Sequence, residues 1–518
     1  MKQQIQRLRE IKQVAALGGG EQRIAREHKK GKLTARERID LLLDPGSFHE
    51  FNMLIKHNVG TPGDGIVIGH GTIDNRTVCV FAHDATVFGG SQGYYHGRKL
   101  YKIHEMALEM GVPLIGLNDS PGARVIRPEL AGSDDPYRVS DEKSAGVVFY
   151  INTRCSGAVP QISAILGNCT GGSVYSPALT DFIFMVDDLS HMFITGPRVI
   201  KSVLGEEISM EELGGAKMHC QVSGVADFRV KSEADCMQEI RTLLSYLPQN
   251  WREKPPYKDT GDSPDRFSEA LENIVPLQPT KGYDMRLVIN DIVDGGKFLE
   301  VKPEFAAEII VGFARLGGSS VGIVANQPRV RAGCMSMDSS DKQARFIRFC
   351  DAFNIPLILL VDTPGYLPGK DQEYGGIIRH GAKVLYALSE ATVPKIALLL
   401  RKVYGGAALG MGVFPGFGTD LIFAWPTAEI GAMGAEQAVA LFYADEIEKA
   451  ADPEAFKAQK VQEYRTHYAD PMALASDVTY IHDIIEPRET RRTLIQSLKF
   501  AQNKKVGTDP KRHGNIPL

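Results

Sequence analysis

The chain is expected to fold as two tandem α/β domains that arose by internal duplication, and three observations carry that expectation. Its 518 residues, 43% of them hydrophobic, hold more apolar material than one ordinary core absorbs. Residues 69–122 align with 312–365 at a constant offset of 243 and without a gap, matching Gly69/Gly312, Lys99/Lys342, Asp119/Asp362, Pro121/Pro364 and Gly122/Gly365 among others. The phrase PLIGLNDSPG returns as PLILLVDTPG. Agreement at fixed spacing over fifty-four positions points to duplication rather than chance. In both copies a helix-period segment is followed by a strand-sized apolar run, the alternation of a parallel sheet with helices against it.

In chain order, Ala25–Leu43 has the pattern of a basic amphipathic helix. Its Lys29, Lys30, Lys32, Arg36 and Arg38 either face a phosphate-bearing ligand or form a solvated face. Gly97–Met110 places Leu100, Ile103, Met106 and Ala107 at helical spacing, and Val112–Leu117 reads as a buried parallel strand. Another strand, Val159–Leu166, runs toward Gly171-Gly172. The second half repeats the series with helix Ala344–Phe353, strand Ile355–Val361 and strand Val393–Leu400 before Gly405-Gly406. These later blocks match at an offset of 234, so the first half carries nine extra residues between Gly122 and Val159. The polar stretch Gly132–Lys143 is the insertion, either a lid or a passive loop. Pro248–Pro264 is Pro-rich, charged and aperiodic, which places a boundary there and gives domains 1–255 and 256–518.

Composition removes several functions. Fifty-nine Lys and Arg against sixty-three Asp and Glu leave a net charge of -4, no footprint for nucleic acid or an anionic membrane. Seven cysteines form no CxxC pair and no zinc spacing, and read as buried thiols of a reducing compartment. A polar N-terminus and the lack of any apolar run of ~20 residues point to a soluble, unprocessed, cytoplasmic protein. Glycine, at 52 residues, exceeds the usual ~7%, so backbone rather than side chains is expected to carry chemistry.

The two Gly-Gly turns are where it would do so. At Thr170-Gly171-Gly172 and Tyr404-Gly405-Gly406-Ala407 a strand ends and a helix begins, exposing N–H groups that have no intrahelical partner. With no Cβ in the way an oxyanion can reach them, and one such donor is worth ~3 kcal/mol in a transition state. A tight helix-to-strand packing role is the bland alternative, which the duplication disfavours. Ser173 follows Gly172 but lacks a GxSxG context and is matched by Ala407, so it reads as structural. Asp119 and Asp362 end matching strands and read as turn chemistry rather than as acid and base. His191, His219 and His380 have no ligand-spaced partners, so no metal is expected, and no phosphate loop of the GxxxxGK[ST] kind is present.

Longer motifs bring in a family. GKLTARERIDLLLDPGSF (31–48), TVFGGS (86–91), GGSVYSPALTDF (171–182), ELGGAK (212–217), RFIRFCDAFNIPLI (345–358), EYGGIIRHGAK (373–383), AWPTAEI (424–430) and KRHGNIPL (511–518) resemble the biotin-dependent acyl-CoA carboxyltransferases. That family includes, notably, the propionyl-CoA carboxylase β subunit and the methylmalonyl-CoA decarboxylase α subunit. The resemblance implies a crotonase-like (ClpP/crotonase superfamily) fold in each half and a homohexamer built as a trimer of dimers. It further implies an active site between the first domain of one subunit, on the acyl-CoA side, and the second domain of another, on the biotin side. Biotin would arrive on a separate carrier protein, with a biotin carboxylase or a membrane decarboxylase subunit as a further partner. In the implied reaction carboxybiotin releases CO2, its ureido nitrogen takes the α-proton of an acyl-CoA, and the enolate captures the CO2, so no side-chain base is required. Carried over residue by residue, Gly171 and Gly172 face the thioester enolate, Gly406 and Ala407 the ureido oxygen, with Gly405, Pro364 and Gly365 beside the biotin. Ser120, Pro121, Gly122, Ala123, Ala408 and Leu409 are the expected acyl contacts.

Three departures from the family pattern bear on specificity. Pro121 stands where NDSGGAR has Gly, removing an N–H and fixing φ at a ligand-facing turn. The insertion Gly132–Lys143 follows that turn. Ala408 replaces the usual aromatic residue, and Leu409 resembles the decarboxylase and transcarboxylase branch. An acyl group larger than propionyl is therefore expected. The competing functions are a carboxyacyl-CoA decarboxylase or transcarboxylase subunit of the same fold, a non-catalytic scaffold, and a hydratase. Intact Gly-Gly turns argue against the scaffold, and the lack of paired carboxylates argues against the hydratase.

Overall fold

The computed structural model describes residues 1–59, 62–124, 145–475, 479–507 and 510–518, so the insertion at Gly132–Lys143 lies outside the described residues. The chain divides into two compact units, Met1–Glu253 and Lys254–Leu518. The first holds strands β1 (His49–Phe51), β2 (Ile66–Ile73), β3 (Arg76–His83), β4 (Leu114–Ser120), β5 (Gln161–Thr170), β6 (Phe182–Val186), β7 (His191–Phe193) and β8 (Phe228–Val230). They form one sheet in the order β1-β2-β3-β4-β5-β6-β8, with β7 beside β5. The second holds β9 (Phe298–Val301), β10 (Ile309–Leu316), β11 (Ser319–Asn326), β12 (Leu357–Thr363), β13 (Lys395–Tyr404), β14 (Leu421–Ala424), β15 (Glu429–Gly431) and β16 (Asp483–Ile484). Their order repeats the first: β9-β10-β11-β12-β13-β14-β16, with β15 beside β13.

The duplication extends to register. Cys79 pairs with Leu114 and Leu114 with Gln161, while at the same offsets Gly322 pairs with Leu357 and Leu357 with Lys395. A register break between Asn118 and Ser120 recurs between Val361 and Thr363. Strands β4, β12 and β13 are buried along their whole length, as expected where helices cover both faces of a parallel sheet. Tyr94–Met110 and Met337–Ala352 are the matching helices, each starting several residues before the periodic apolar positions. From them Lys99 and Lys342 reach inward to cap backbone carbonyls, Lys99 those of Gly63 and Ile66, Lys342 those of Lys302, Phe305 and Ile309. Burial lowers the two ammonium groups to about 8 and about 7.

The expected helix Ala25–Leu43 is two helices, Glu21–Lys29 and Ala35–Leu42. Gly31, at φ 75, turns the chain, and Thr34 with Glu37 forms a capping box that starts the second helix. Four of its five cations pair within the unit: Lys30 on Glu27, Lys32 on Asp119, Arg36 on Glu50, and Arg38 on Glu233 and Asp119. Lys29 and Lys30 are exposed, so a small solvated face remains where five clustered cations were expected. Six cysteines are buried and Cys334 is half-buried, all as free thiols. Among the described residues no helix is long and apolar enough to cross a membrane.

Candidate active-site turns

In the first unit β5 ends at Thr170, and Gly171, at φ 61, bends the chain into a 3-10 turn, Gly171–Val174. Gly172 is exposed, and a Cβ built on it would meet nothing within 4 Å. Ser173 and Val174 are buried behind it. The end of β4 leads into the neighbouring turn, Ser120-Pro121-Gly122-Ala123. Gly122, at φ 96, approaches so closely that a Cβ there would sit 2.7 Å from Thr170 O. The two turns are tied by Thr170 Oγ1 donating to Pro121 O at 3.0 Å, and Gly122 N donates to Ser120 Oγ at 3.2 Å. Arg124 anchors the far side: its Nη1 donates to Asp64 Oδ1 at 2.7 Å, its Nη2 to Ser91 O at 2.9 Å, and its plane lies 4.3 Å over the Phe88 ring.

The second unit builds the same pair of turns. Gly405, at φ 54, leaves β13, and the helix Gly405–Gly410 follows, with Gly406 exposed, Ala407 and Ala408 buried and Leu409 half-buried. Beside it the turn Thr363-Pro364-Gly365-Tyr366 leaves β12. Tyr366 occupies the place of Ala123, since Gln92 bridges to Ala123 as Met335 bridges to Tyr366. Its ring lies 3.8 Å from the Cβ position of Gly406, and its hydroxyl 2.9 and 3.0 Å from those of Gly410 and Gly381. Gly410 and Gly381 thus make room for one phenol, which burial pushes up to about 12 and keeps neutral. Nothing stands within 4 Å of the Cβ position at Gly172, and at Gly406 the Tyr366 ring does.

Both turns thus bring their expected residues together, with one qualification about register. Gly172 corresponds to Gly406 and Ser173 to Ala407, so the pairs Gly171/Gly172 and Gly406/Ala407 are displaced by one position from each other. The helices behind the turns, Tyr175–Ala178 and Gly405–Gly410, are short, which makes the unpaired N–H groups rather than a macrodipole the source of positive potential. Of the expected acyl contacts, Ser120 and Gly122 are buried, Pro121 and Ala123 exposed, and Ala408 is 3% exposed beside the half-buried Leu409.

Among the described residues, no side chain beside the first turn is set up as nucleophile or base. Ser173 Oγ donates to Thr170 O at 2.7 Å. The Cys169 thiol, pushed up to about 12 by burial, donates to Ser173 O at 3.3 Å. Asp119 and Asp362 are not turn residues: both are buried within strands at the register break, Asp119 paired with Lys32 and Arg38, Asp362 with Arg401 and Lys402. His191 faces Glu211, His219 bonds Met192 O and Ser223, and His380 bonds Asp341. Tyr366 and Arg124 are the contributors that sequence reasoning missed. For Tyr366 the signal was present, since the repeat sets Pro364-Gly365-Tyr366 against Pro121-Gly122-Ala123 and the aromatic substitution marks the difference.

Comparison with known proteins places this geometry. A family model described as the carboxyl transferase domain matches residues 26–516. The chain is similar to the propionyl-CoA carboxylase carboxyltransferase subunit of Haloferax mediterranei, 52% identical over 526 residues and covering 100% of both chains. It is also similar to the methylmalonyl-CoA decarboxylase subunit alpha of Veillonella parvula, 49% identical over 509 residues, covering 97% of this chain and 96% of the other. A solved structure of transcarboxylase 12S, described as a hexamer with methylmalonyl-coenzyme A and methylmalonic acid bound, superposes with a TM-score of 0.93 at 45% identity, covering 100% of this chain and 98% of that one. These likenesses agree with two tandem crotonase-like units.

Proposed function

The chain belongs to the carboxyl transferase family, as a biotin-dependent acyl-CoA carboxyltransferase, and on that premise we propose that its two turns hold the two oxyanions of carboxyl transfer. The observation that carries this reading is the recurrence of one exposed glycine, Gly172 and Gly406, at the same topological point of two duplicated sheets. Biotin, brought on a separate carrier protein, supplies the carboxyl group and the proton acceptor. The protein's part is to orient both partners and to stabilise negative charge on the thioester oxygen and on the ureido oxygen. N–H groups fixed at a strand end perform that without reorganisation, which is why they outperform water.

The open first turn suits the thioester of an acyl-CoA, with Gly171 and Gly172 at the enolate and Ser120, Pro121, Gly122 and Ala123 along the acyl group. The second turn suits the flat ureido ring, with Gly405, Gly406, Ala407, Pro364 and Gly365 around it and the Tyr366 ring beside Gly406. The unit 1–253 is then the acyl-CoA side and 254–518 the biotin side. The hexamer of transcarboxylase 12S supports a homohexamer here, and the reading adds that each site is shared between subunits. The same chemistry runs in reverse, and the likeness to a decarboxylase subunit, together with Leu409, favours a decarboxylase or transcarboxylase role as the second reading. Carboxyl exchange between free carboxybiotin and a panel of acyl-CoAs tests the proposal. Exchange with at least one thioester is expected, and its absence with all of them from a folded hexamer would refute it.

A further inference from the structure

The duplicated turns are braced from different directions. In the first unit Thr170, the last residue of β5, ties its turn to Pro121. The same position in the second unit is Tyr404, whose hydroxyl donates away from that loop, to Glu429 Oε2 on β15 at 2.5 Å. β15 runs parallel to the end of β13 with Gly431 opposite Tyr404, and Ala432 O lies 2.9 Å from the Cβ position of Gly405. Gly405 therefore rests on the segment 429–432, whereas a Cβ on Gly171 would meet nothing within 4 Å.

Glu429 also forms an ion pair, without an Nε–H hydrogen bond, with the C-terminal region. Arg465 Nε lies 3.2 Å from Glu429 Oε1, and Arg465 Nη2 donates to Glu436 Oε1 at 2.5 Å. Arg465 opens a single π turn, Arg465–Ala469, at the end of the helix Pro453–Tyr464. Such a turn redirects side chains relative to a continuous α-helix. Tyr404 is buried, and burial with the adjacent Glu429 carboxylate raises its phenol far above the ordinary range, so it acts as a neutral donor. A short hydrogen bond to a carboxylate is among the strongest a neutral side chain makes, and this one ends one residue before the turn.

We propose that Tyr404, Glu429 and Arg465 are positioning residues that set the aim of the Gly406 N–H groups, so that a C-terminal helix governs the geometry of one oxyanion site and leaves the other alone. The inference rests on the reading of that turn as the biotin side. A brace of this kind matters because catalytic donors lose their effect when displaced by ~0.5 Å. The test uses the full-length hexamer with Tyr404→Phe, Glu429→Gln, Arg465→Gln and Arg465→Lys, assayed for carboxyl transfer from methylmalonyl-CoA to free biotin with each substrate varied. Tyr404→Phe, Glu429→Gln and Arg465→Gln are expected to lower kcat ~10-fold and to raise KM for free biotin ~5-fold, with KM for methylmalonyl-CoA within about twofold of wild type. Arg465→Lys, which keeps the cation, should recover most of the loss. Unchanged kinetics in Tyr404→Phe, or a fall in melting temperature with neither KM moved, would overturn the proposal. A rise in KM for methylmalonyl-CoA in place of biotin would leave the positioning role standing and overturn the assignment of the turn to biotin.

Discussion

Arg401 and Asp362 form a fully buried ion pair, Nε to Oδ2 at 3.1 Å, at the register break beneath the second turn. The duplicate of that pair has been rewired. Gly167 stands where Arg401 does, and a Cβ there would lie 2.1 Å from Asp119 Oδ1, so no larger residue fits. Asp119 takes its cations instead from Lys32 and Arg38, far away in sequence. Both carboxylates are thus enclosed by buried cationic partners, and their oxygens are turned to those partners rather than to the turns. What persisted through duplication is a buried carboxylate at a strand irregularity, and what changed is the source of its counter-charge.

Removing one member of such a pair is costly because the other is left charged and unsolvated. Arg401 also donates to Pro276 O, Gln278 O and Lys281 O. Arg401→Met is expected to destabilise the second unit by ~3–5 kcal/mol, and Asp362→Leu with Arg401→Met by less, since both charges of the pair go together and the remaining cation, Lys402, still donates to Ala332 O. Denaturant melts of the two variants check this, and equal losses would contradict it.

Acid should open the first unit before the second. His83, His96 and His104 are all buried there, and burial lowers His83 and His104 to about 4 and His96 well below its ordinary value. Their counterparts in the second unit are Asn326, Ser339 and Ile347, which do not titrate. The folded-state values are depressed, so the neutral rings contribute stability above the unfolded value near 6.5 that is lost as pH falls toward 4. For His83 and for His104 the loss is at most ~3 kcal/mol. Hydrogen exchange followed from pH 7 to pH 4 should show 94–120 losing protection ahead of 337–363. Simultaneous loss in both segments would count against the argument.

Topology was the legible part of this chain. Ungapped spacing of Gly69/Gly312 through Gly122/Gly365 already encodes the repeated sheet, because strand register is a matter of spacing and spacing is visible in sequence. The exposed glycines Gly172 and Gly406 were legible for the same reason. Ion pairs were not: Arg38 looked like part of a basic face, whereas its partner Glu233 lies nearly two hundred residues away, and no local pattern announces such a contact. Asp119 and Asp362 misled because Asp before Ser-Pro-Gly or Thr-Pro-Gly is also good turn chemistry, and only burial distinguishes the two roles.

The catalytic claim separates into two kinds of glycine. Gly172 has ordinary backbone angles and open space around its Cβ position, so Gly172→Val should fold as wild type while obstructing the oxyanion, with turnover lower by ~100-fold. Gly171 is in the left-handed region, so Gly171→Val should cost stability as well as activity. Gly406→Val should resemble Gly172→Val, since only the Tyr366 ring, at 3.8 Å, is near. Normal turnover in both Gly172→Val and Gly406→Val would remove the turns from the mechanism. Mixing those two inactive variants tests the shared site, and partial recovery of activity is expected once subunits have exchanged.

The acyl group is the remaining question, and the structure redirects how to ask it. Ala408 lacks the aromatic ring that the family usually places there, which favours an acyl chain longer than propionyl, with each buried methylene worth ~0.8 kcal/mol, or about fourfold in kcat/KM. Yet Ala408 is only 3% exposed, and its carbonyl accepts from Met411 N and Val413 N at 3.1 and 3.2 Å, so its side chain sits in packed surroundings. Ala408→Tyr must then displace neighbours, at an overpacking cost of ~1–3 kcal/mol, and its effect on specificity is entangled with stability. Leu409 is the cleaner probe, because it is half-buried and its side chain is the one with apolar surface to offer. Wild type should prefer butyryl-CoA over propionyl-CoA by several-fold, and Leu409→Ala should weaken that preference with little change in melting temperature. Should propionyl-CoA be the best substrate of both proteins by a wide margin, the room vacated at Ala408 does not reach the acyl chain, and Pro121, exposed on the turn of the first unit, becomes the residue to test next as the one that limits its length.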